Sequence, residues 1–200
     1  MIGKIHRMYC DFACDVKLDT LPSTHRLRDP NQGGGALLDL GIYPLTLSNL
    51  ILDGNVGDNA LQPNVISSMT VVDGVDCSDV ITVNYTSKRS VGILTASFQR
   101  QAGEDFCWIE GSEGNITLSG LQAANPKAIK AKRTSNGEVD VHAFEYPGMG
   151  LYFEANAVAL DILAGRVESS IMPWAETRRM FQVLDGIRSA GQVVYPQDLE

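Results

Sequence analysis

Much that marks a ligand-handling protein is missing from this 200-residue chain. There is no Gly-x-Gly-x-x-Gly turn and no Walker-type loop, so nothing reads as a cradle for nucleotide phosphates. His6, His25 and His142 are the only histidines and none is paired at metal-ligand spacing, so no metal site is expected. A Gly-x-Ser-x-Gly elbow is also lacking, which removes the usual serine-hydrolase arrangement. Positive charge is scarce: 16 Lys and Arg stand against 24 Asp and Glu, a net charge of −8. A nucleic-acid surface needs clustered basic residues, so nucleic acid is not an expected partner. No run approaches about 18 consecutive apolar residues, and the first six residues lack the basic flank and apolar stretch of a signal peptide. The expectation is a cytoplasmic protein with no membrane partner.

Cysteine is sparse too, and Cys10, Cys14, Cys77 and Cys107 show no metal-ligand spacing. Cys10 and Cys14 would share one face of a strand about four residue rises apart, too far for an ideal disulfide. Reduced, mostly buried thiols are the expectation. Lys127, Lys130, Lys132 and Arg133 form the densest basic group, and their alternation reads as the solvated edge of a sheet.

What is present suits one domain over residues 1–200, or at most two small ones: 44% of residues are hydrophobic, enough for a sizeable core without staples. Residues 2–15 alternate as a strand, and residues 16–34 form a long polar connection of the kind that is often functional. Residues 35–53 have helical period, with Leu38, Ile42, Leu45, Asn49 and Leu52 in one stripe. Pro44 lies inside that pattern and predicts a kink or break after Tyr43.

Strands are expected at 64–72, 78–86, 91–99, 106–111, 114–119, 127–134 and 138–146, separated by turn chemistry such as Asp73-Gly74 and Asn136-Gly137. Helices follow at 151–165 and from Pro173 to Gly191. The class is α+β: a largely antiparallel, mixed sheet with helices packed on one face.

One stretch carries the chemistry: Gly33-Gly34-Gly35-Ala36-Leu37-Leu38-Asp39-Leu40-Gly41-Ile42-Tyr43-Pro44-Leu45. It sets a carboxylate and a phenol four residues apart behind a glycine turn, on one face of a helix start. The glycines would leave backbone N–H groups free where partial positive charge collects. A phenol becomes a useful proton carrier when a cation lowers its pKa or when its proton moves in concert with hydride transfer. Asp39 could orient that phenol or accept from a substrate hydroxyl. The plainer alternative has Asp39 satisfying a loop amide and Tyr43 as a half-buried aromatic.

The same stretch resembles the substrate-domain motif of the glucose–fructose oxidoreductase / inositol dehydrogenase superfamily. The tyrosine, where many relatives carry histidine, points to the branch with dimeric dihydrodiol dehydrogenase and NADP-linked D-xylose dehydrogenase. Supporting similarity runs through Trp108-Ile109-Glu110-Gly111, Leu151-Tyr152-Phe153-Glu154-Ala155, Met172-Pro173-Trp174 and Leu184-Asp185-Gly186-Ile187-Arg188. The resemblance implies Tyr43 as the proton-transfer group, Asp39 as a hydrogen-bonding partner near the sugar hydroxyls, and Arg28 and Phe12 as substrate-pocket residues. It also implies a homodimer formed through an open sheet face.

Relatives of this kind bind NAD or NADP in an N-terminal Rossmann domain and carry a Glu-Lys-Pro motif, and neither occurs in this sequence. The expectation is therefore the C-terminal substrate and dimerisation half of an NAD(P)-dependent dehydrogenase. It would oxidise a sugar resembling D-xylose or a trans-dihydrodiol, and would be inactive alone. The alternatives are a non-catalytic dimerisation or small-molecule-binding module and, more remotely, a metal-dependent sugar isomerase.

Overall fold

Alternation in the first strand organises the molecule. In the computed structural model, which describes residues 2–199, β1 (Ile5–Ala13) turns Met8, Cys10 and Phe12 inwards while Arg7, Tyr9 and Asp11 face away. Seven further strands join it: β2 (Asn64–Val72), β3 (Val75–Tyr85), β4 (Ser90–Ser97), β5 (Asp105–Gly111), β6 (Gly114–Gln122), β7 (Asn125–Arg133) and β8 (Val139–Ala143). They form one sheet in the order β2-β3-β4-β1-β5-β6-β7-β8. Only β1 and β4 run parallel; every other neighbouring pair is antiparallel. The α+β class and the mixed sheet are as the sequence implied, and residues 2–199 contain no doubly wound nucleotide domain.

Three helices follow the expected positions: α1 (Ile42–Leu52), α2 (Leu151–Leu163) and α3 (Trp174–Ala190). α1 lies across β1 and β4, and α3 sits beside it over β2. Beneath them, Met8, Cys10, Phe12, Ile81, Val83, Leu94 and Ala96 form the core, each large side chain contributing roughly 1.5–3 kcal/mol by leaving water. Glu176 of α3 ties this layer together, accepting from Asn49 Nδ2 (2.9 Å), Gly57 N (2.8 Å) and Arg179 (2.7 and 2.9 Å). By contrast, no residue of α2 is buried. Pro173 caps α3 from one residue outside it.

Pro44 does not break the helix. A π-helical turn, Leu37–Gly41, runs without a break into α1, so the ladder is already irregular just ahead of Pro44 and its missing N–H is accommodated there. The wider turn also shifts the apolar stripe. Leu37, Leu40 and Gly41 are buried ahead of it, then Leu45, Asn49 and Leu52, whereas Leu38 and Ile42 are only partly covered. The helical stretch Pro30–Leu52 is apolar and long enough to cross a membrane by composition, yet more than half of its most apolar window is buried within the protein.

One smaller expectation changes. The basic group at 127–133 lies on an interior strand, because β8 pairs beyond it. Three of its four charges are engaged there: Lys130 bonds Asp105, Arg133 bonds Glu138 and Asp140, and Lys127 lies 3.7 Å from the centre of the Tyr146 ring. The cysteines are as expected: all four are free and three are buried, with Cys10 directly opposite Cys107 across β1 and β5.

Candidate active site

The glycine run follows from packing. A Cβ on Gly34 would come within 2.9 Å of the Leu27 carbonyl carbon. At Gly35, φ is +124° and a Cβ would approach Asp76 Oδ1 to 2.3 Å, so only glycine fits. These amides are not free donors, contrary to the expectation. Gly33, Gly34 and Gly35 donate to the carbonyls of Pro30, Asp29 and Leu27, and Leu37 N donates to Asp76 Oδ2 at 2.5 Å. A carboxylate thus occupies the positive start of the helical segment, where an anionic ligand would otherwise settle. The loop is held from the other side by the Tyr195 hydroxyl, which donates to Gly34 O at 2.6 Å.

From that anchored turn the chain presents Asp39 and Tyr43. Tyr43 is 43% exposed, and its ring meets Phe12 edge-on with centroids 5.1 Å apart. Phe12 ends the inward row of β1, so sheet and helix together set the angle of the phenol. The Tyr43 side chain borders an open cavity of about 480 Å³ lined by Ile42, Thr46, Leu47, Ala123 and Ala124, a volume in the range of small-molecule sites. Ala124 is shared with a second apolar hollow that continues to Phe144, Tyr146 and Phe153.

Asp39 is partly exposed and accepts from Arg26 Nη1 at 2.6 Å. It makes no hydrogen bond to Tyr43 and none to a loop amide, so its partner is a guanidinium that the spacing did not indicate. Arg28 points elsewhere: it bonds Asp73 at 2.5 and 3.1 Å and donates to Leu21 O at 2.8 Å, fastening the long loop to the β2–β3 turn. Of the four residues singled out from the sequence, the fold brings Phe12 and Tyr43 into contact and leaves Asp39 and Arg28 in separate ion pairs.

Chemically, the arrangement offers a reachable hydroxyl on an apolar wall, with an Arg26–Asp39 pair one turn earlier. Such a group can exchange a proton with a bound alcohol. The arrangement does not fit the diphosphate of a dinucleotide, because the glycine amides are already used and Asp76 would repel it.

A family model for the GFO/IDH/MocA C-terminal domain matches residues 1–117. Across 98% of its length the chain is 26% identical to a D-xylose 1-dehydrogenase (NADP(+)) of Hypocrea jecorina, covering 55% of that protein. It is 27% identical to the trans-1,2-dihydrobenzene-1,2-diol dehydrogenase of Mus musculus, again over 98% of this chain and 56% of the relative. The chain therefore spans about half the length of these curated relatives. Among solved structures, a levoglucosan dehydrogenase in complex with NADH and levoglucosan superposes with a TM-score of 0.75 at 16% identity, covering 96% of this chain and 57% of that one. An aldose-aldose oxidoreductase from Caulobacter crescentus gives 0.72 at 16% identity, over 96% and 54%. At such identities these two likenesses speak for the fold.

Proposed function

The chain belongs to the GFO/IDH/MocA C-terminal domain family, and from that membership we propose that residues 1–200 are one substrate-binding and dimerisation domain of an NAD(P)-dependent oxidoreductase. Its substrate would be a secondary alcohol of a sugar such as D-xylose or of a trans-dihydrodiol, in keeping with what the relatives' names state of those proteins. NAD or NADP, bound on a nucleotide domain outside residues 1–200, supplies the hydride acceptor. The chain's own part is to hold the alcohol in the cleft and to take the hydroxyl proton on the Tyr43 oxygen, which passes its own phenolic proton to water in the open cavity as the hydride leaves. Phe12 braces the phenol, Asp39 with Arg26 offers polar contacts for neighbouring hydroxyls, and Arg28 acts on the pocket by holding the loop in place.

The observation that carries this reading is the exposed Tyr43 ring, set edge-on against Phe12 over an open cavity, at the motif the family resemblance rests on. Dimerisation is proposed through the sheet face turned away from the helices, where Ile66, Val80, Trp108 and Val141 are exposed. Four free thiols favour a reducing, cytoplasmic setting.

The test is a hybrid carrying the nucleotide domain of the D-xylose dehydrogenase relative, assayed with NADP on D-xylose and on a trans-dihydrodiol. Tyr43→Phe is expected to lower turnover roughly 100-fold or more, the scale of a lost proton-transfer group. A loss of only a few-fold ends the assignment. The second reading, a binding module without catalysis, is favoured by the occupied glycine amides. Micromolar NADP binding by the chain alone would contradict it.

A further inference from the structure

Beneath the glycine loop lie two carboxyl groups that the proposed chemistry does not use. Asp76 and Asp79 are both on β3 and both almost completely buried. A bulge in the β2–β3 pairing, where Thr70 faces Ser78 but Val71 faces Asp76, turns Asp76 to the helix side, where Asp79 also points. Asp76 Oδ2 accepts the Leu37 N–H, but Asp76 Oδ1 and both oxygens of Asp79 have no partner.

Three buried acceptor oxygens side by side, with no cation paired to either carboxylate among the described residues, are missing one donor. The missing donor is a proton. Burial first, and then the neighbouring Asp76, push the Asp79 carboxyl up to about 9, so it stays protonated at neutral pH. Burial raises Asp76 as well, against the opposing pull of the Leu37 amide. The other charged or titratable groups that act on this spot come from the C-terminal segment, α3 and β3 itself. Tyr195 is engaged with Gly34, Arg188 is paired with Asp198, and Cys77 is a buried thiol.

We propose that Asp76 and Asp79 form a proton-sharing carboxyl pair that positions the π-helical turn, and with it Asp39 and Tyr43; this rests on the reading of Tyr43 and Asp39 as the working groups. With one proton present, the Asp79 O–H donates to Asp76, and the remaining charge on Asp76 meets the Leu37 N–H at the positive end of the helical segment. When that proton leaves, two anions face each other out of water, Asp76 is driven away from Leu37, and the turn carrying the site loosens. Both are positioning residues and touch no substrate.

Amide exchange of Leu37 and the ring-current shift between Phe12 and Tyr43 report this directly, by NMR on the full chain with no substrate or cofactor. Leu37 protection is expected to fall roughly tenfold as the pH rises from about 6 to about 10, with the Tyr43 shift moving alongside. Asp79→Asn supplies a permanent neutral donor and is expected to keep Leu37 protection constant across that range. Asp76→Asn is expected to weaken Leu37 protection at every pH.

A pH dependence in Asp79→Asn equal to wild type overturns the proposal, as does full Leu37 protection in a folded Asp76→Asn. If Asp76→Asn does not fold, the Asp79→Asn profile decides alone. Because the hybrid assay of Tyr43→Phe is independent of these signals, failure there with a titrating pair would remove the oxidoreductase reading and leave the pair standing.

Discussion

The two ends of this sheet treat their helices in opposite ways. α3 is strongly charged, yet its one apolar stripe of Met180, Leu184 and Ile187 is buried against the β2 end and its Glu176–Arg179 pair is buried with it. α2 is far more apolar, yet Leu160, Ile162 and Leu163 are all exposed, Leu163 by 84%. What anchors α2 is mainly the edge-on contact between Phe153 and Tyr146, which in turn bonds Asn125 and the Pro126 carbonyl. Burial follows from having a surface to seat on. A narrow apolar stripe is satisfied by one neighbour, whereas a helix apolar on several sides needs several, and residues 2–199 provide α2 with almost none.

That contrast can be broken at its strong end first. Glu176→Ala strands the buried Arg179 guanidinium and frees Asn49 and Gly57 N, so unfolding free energy in urea is expected to drop by about 3–5 kcal/mol. A change below about 1 kcal/mol would mean the network is incidental. Next in size comes a pH response at the same end. Asp79 has its folded pKa raised above the unfolded value, so its contribution is complete at acid pH and is lost as the pH climbs through about 9. The urea midpoint is expected to be lower near pH 10 than near pH 6, and Asp79→Asn to flatten the difference; a wild-type midpoint rising with pH contradicts it. The smallest effect belongs to the bare helix. Leu160→Gln is expected to shift stability by no more than about 0.5 kcal/mol, and a larger loss would show that α2 is packed after all.

Much of the architecture was legible in the chain. Period-two runs such as Ile81-Val83-Tyr85 and the turn dipeptides placed every strand to within a few residues, because side-chain alternation and turn chemistry are local properties. The helix after the glycines was legible, but its stripe was not. An α-helical period cannot foresee a π-helical turn, and that turn exchanged Leu38 and Ile42 for Leu37 and Leu40 as core residues.

The candidate site divides the same way. Tyr43 and Asp39 stood out by motif, and Phe12 emerged through the resemblance. Arg26 on Asp39, Tyr195 on Gly34 and Asp76 on Leu37 gave no signal, since their partners lie 13, 161 and 39 positions away.

The amino-acid order alone determined the α+β layout, the family and the two side chains on which the functional proposal turns, since each rests on patterns local to the chain. Only the folded chain decided that the glycine amides are already occupied, that Arg28 serves the loop, and that two carboxyls share the ground beneath Leu37. Those outcomes depend on which distant segments meet, and in a dry interior a carboxyl without a cation must find an amide or keep a proton.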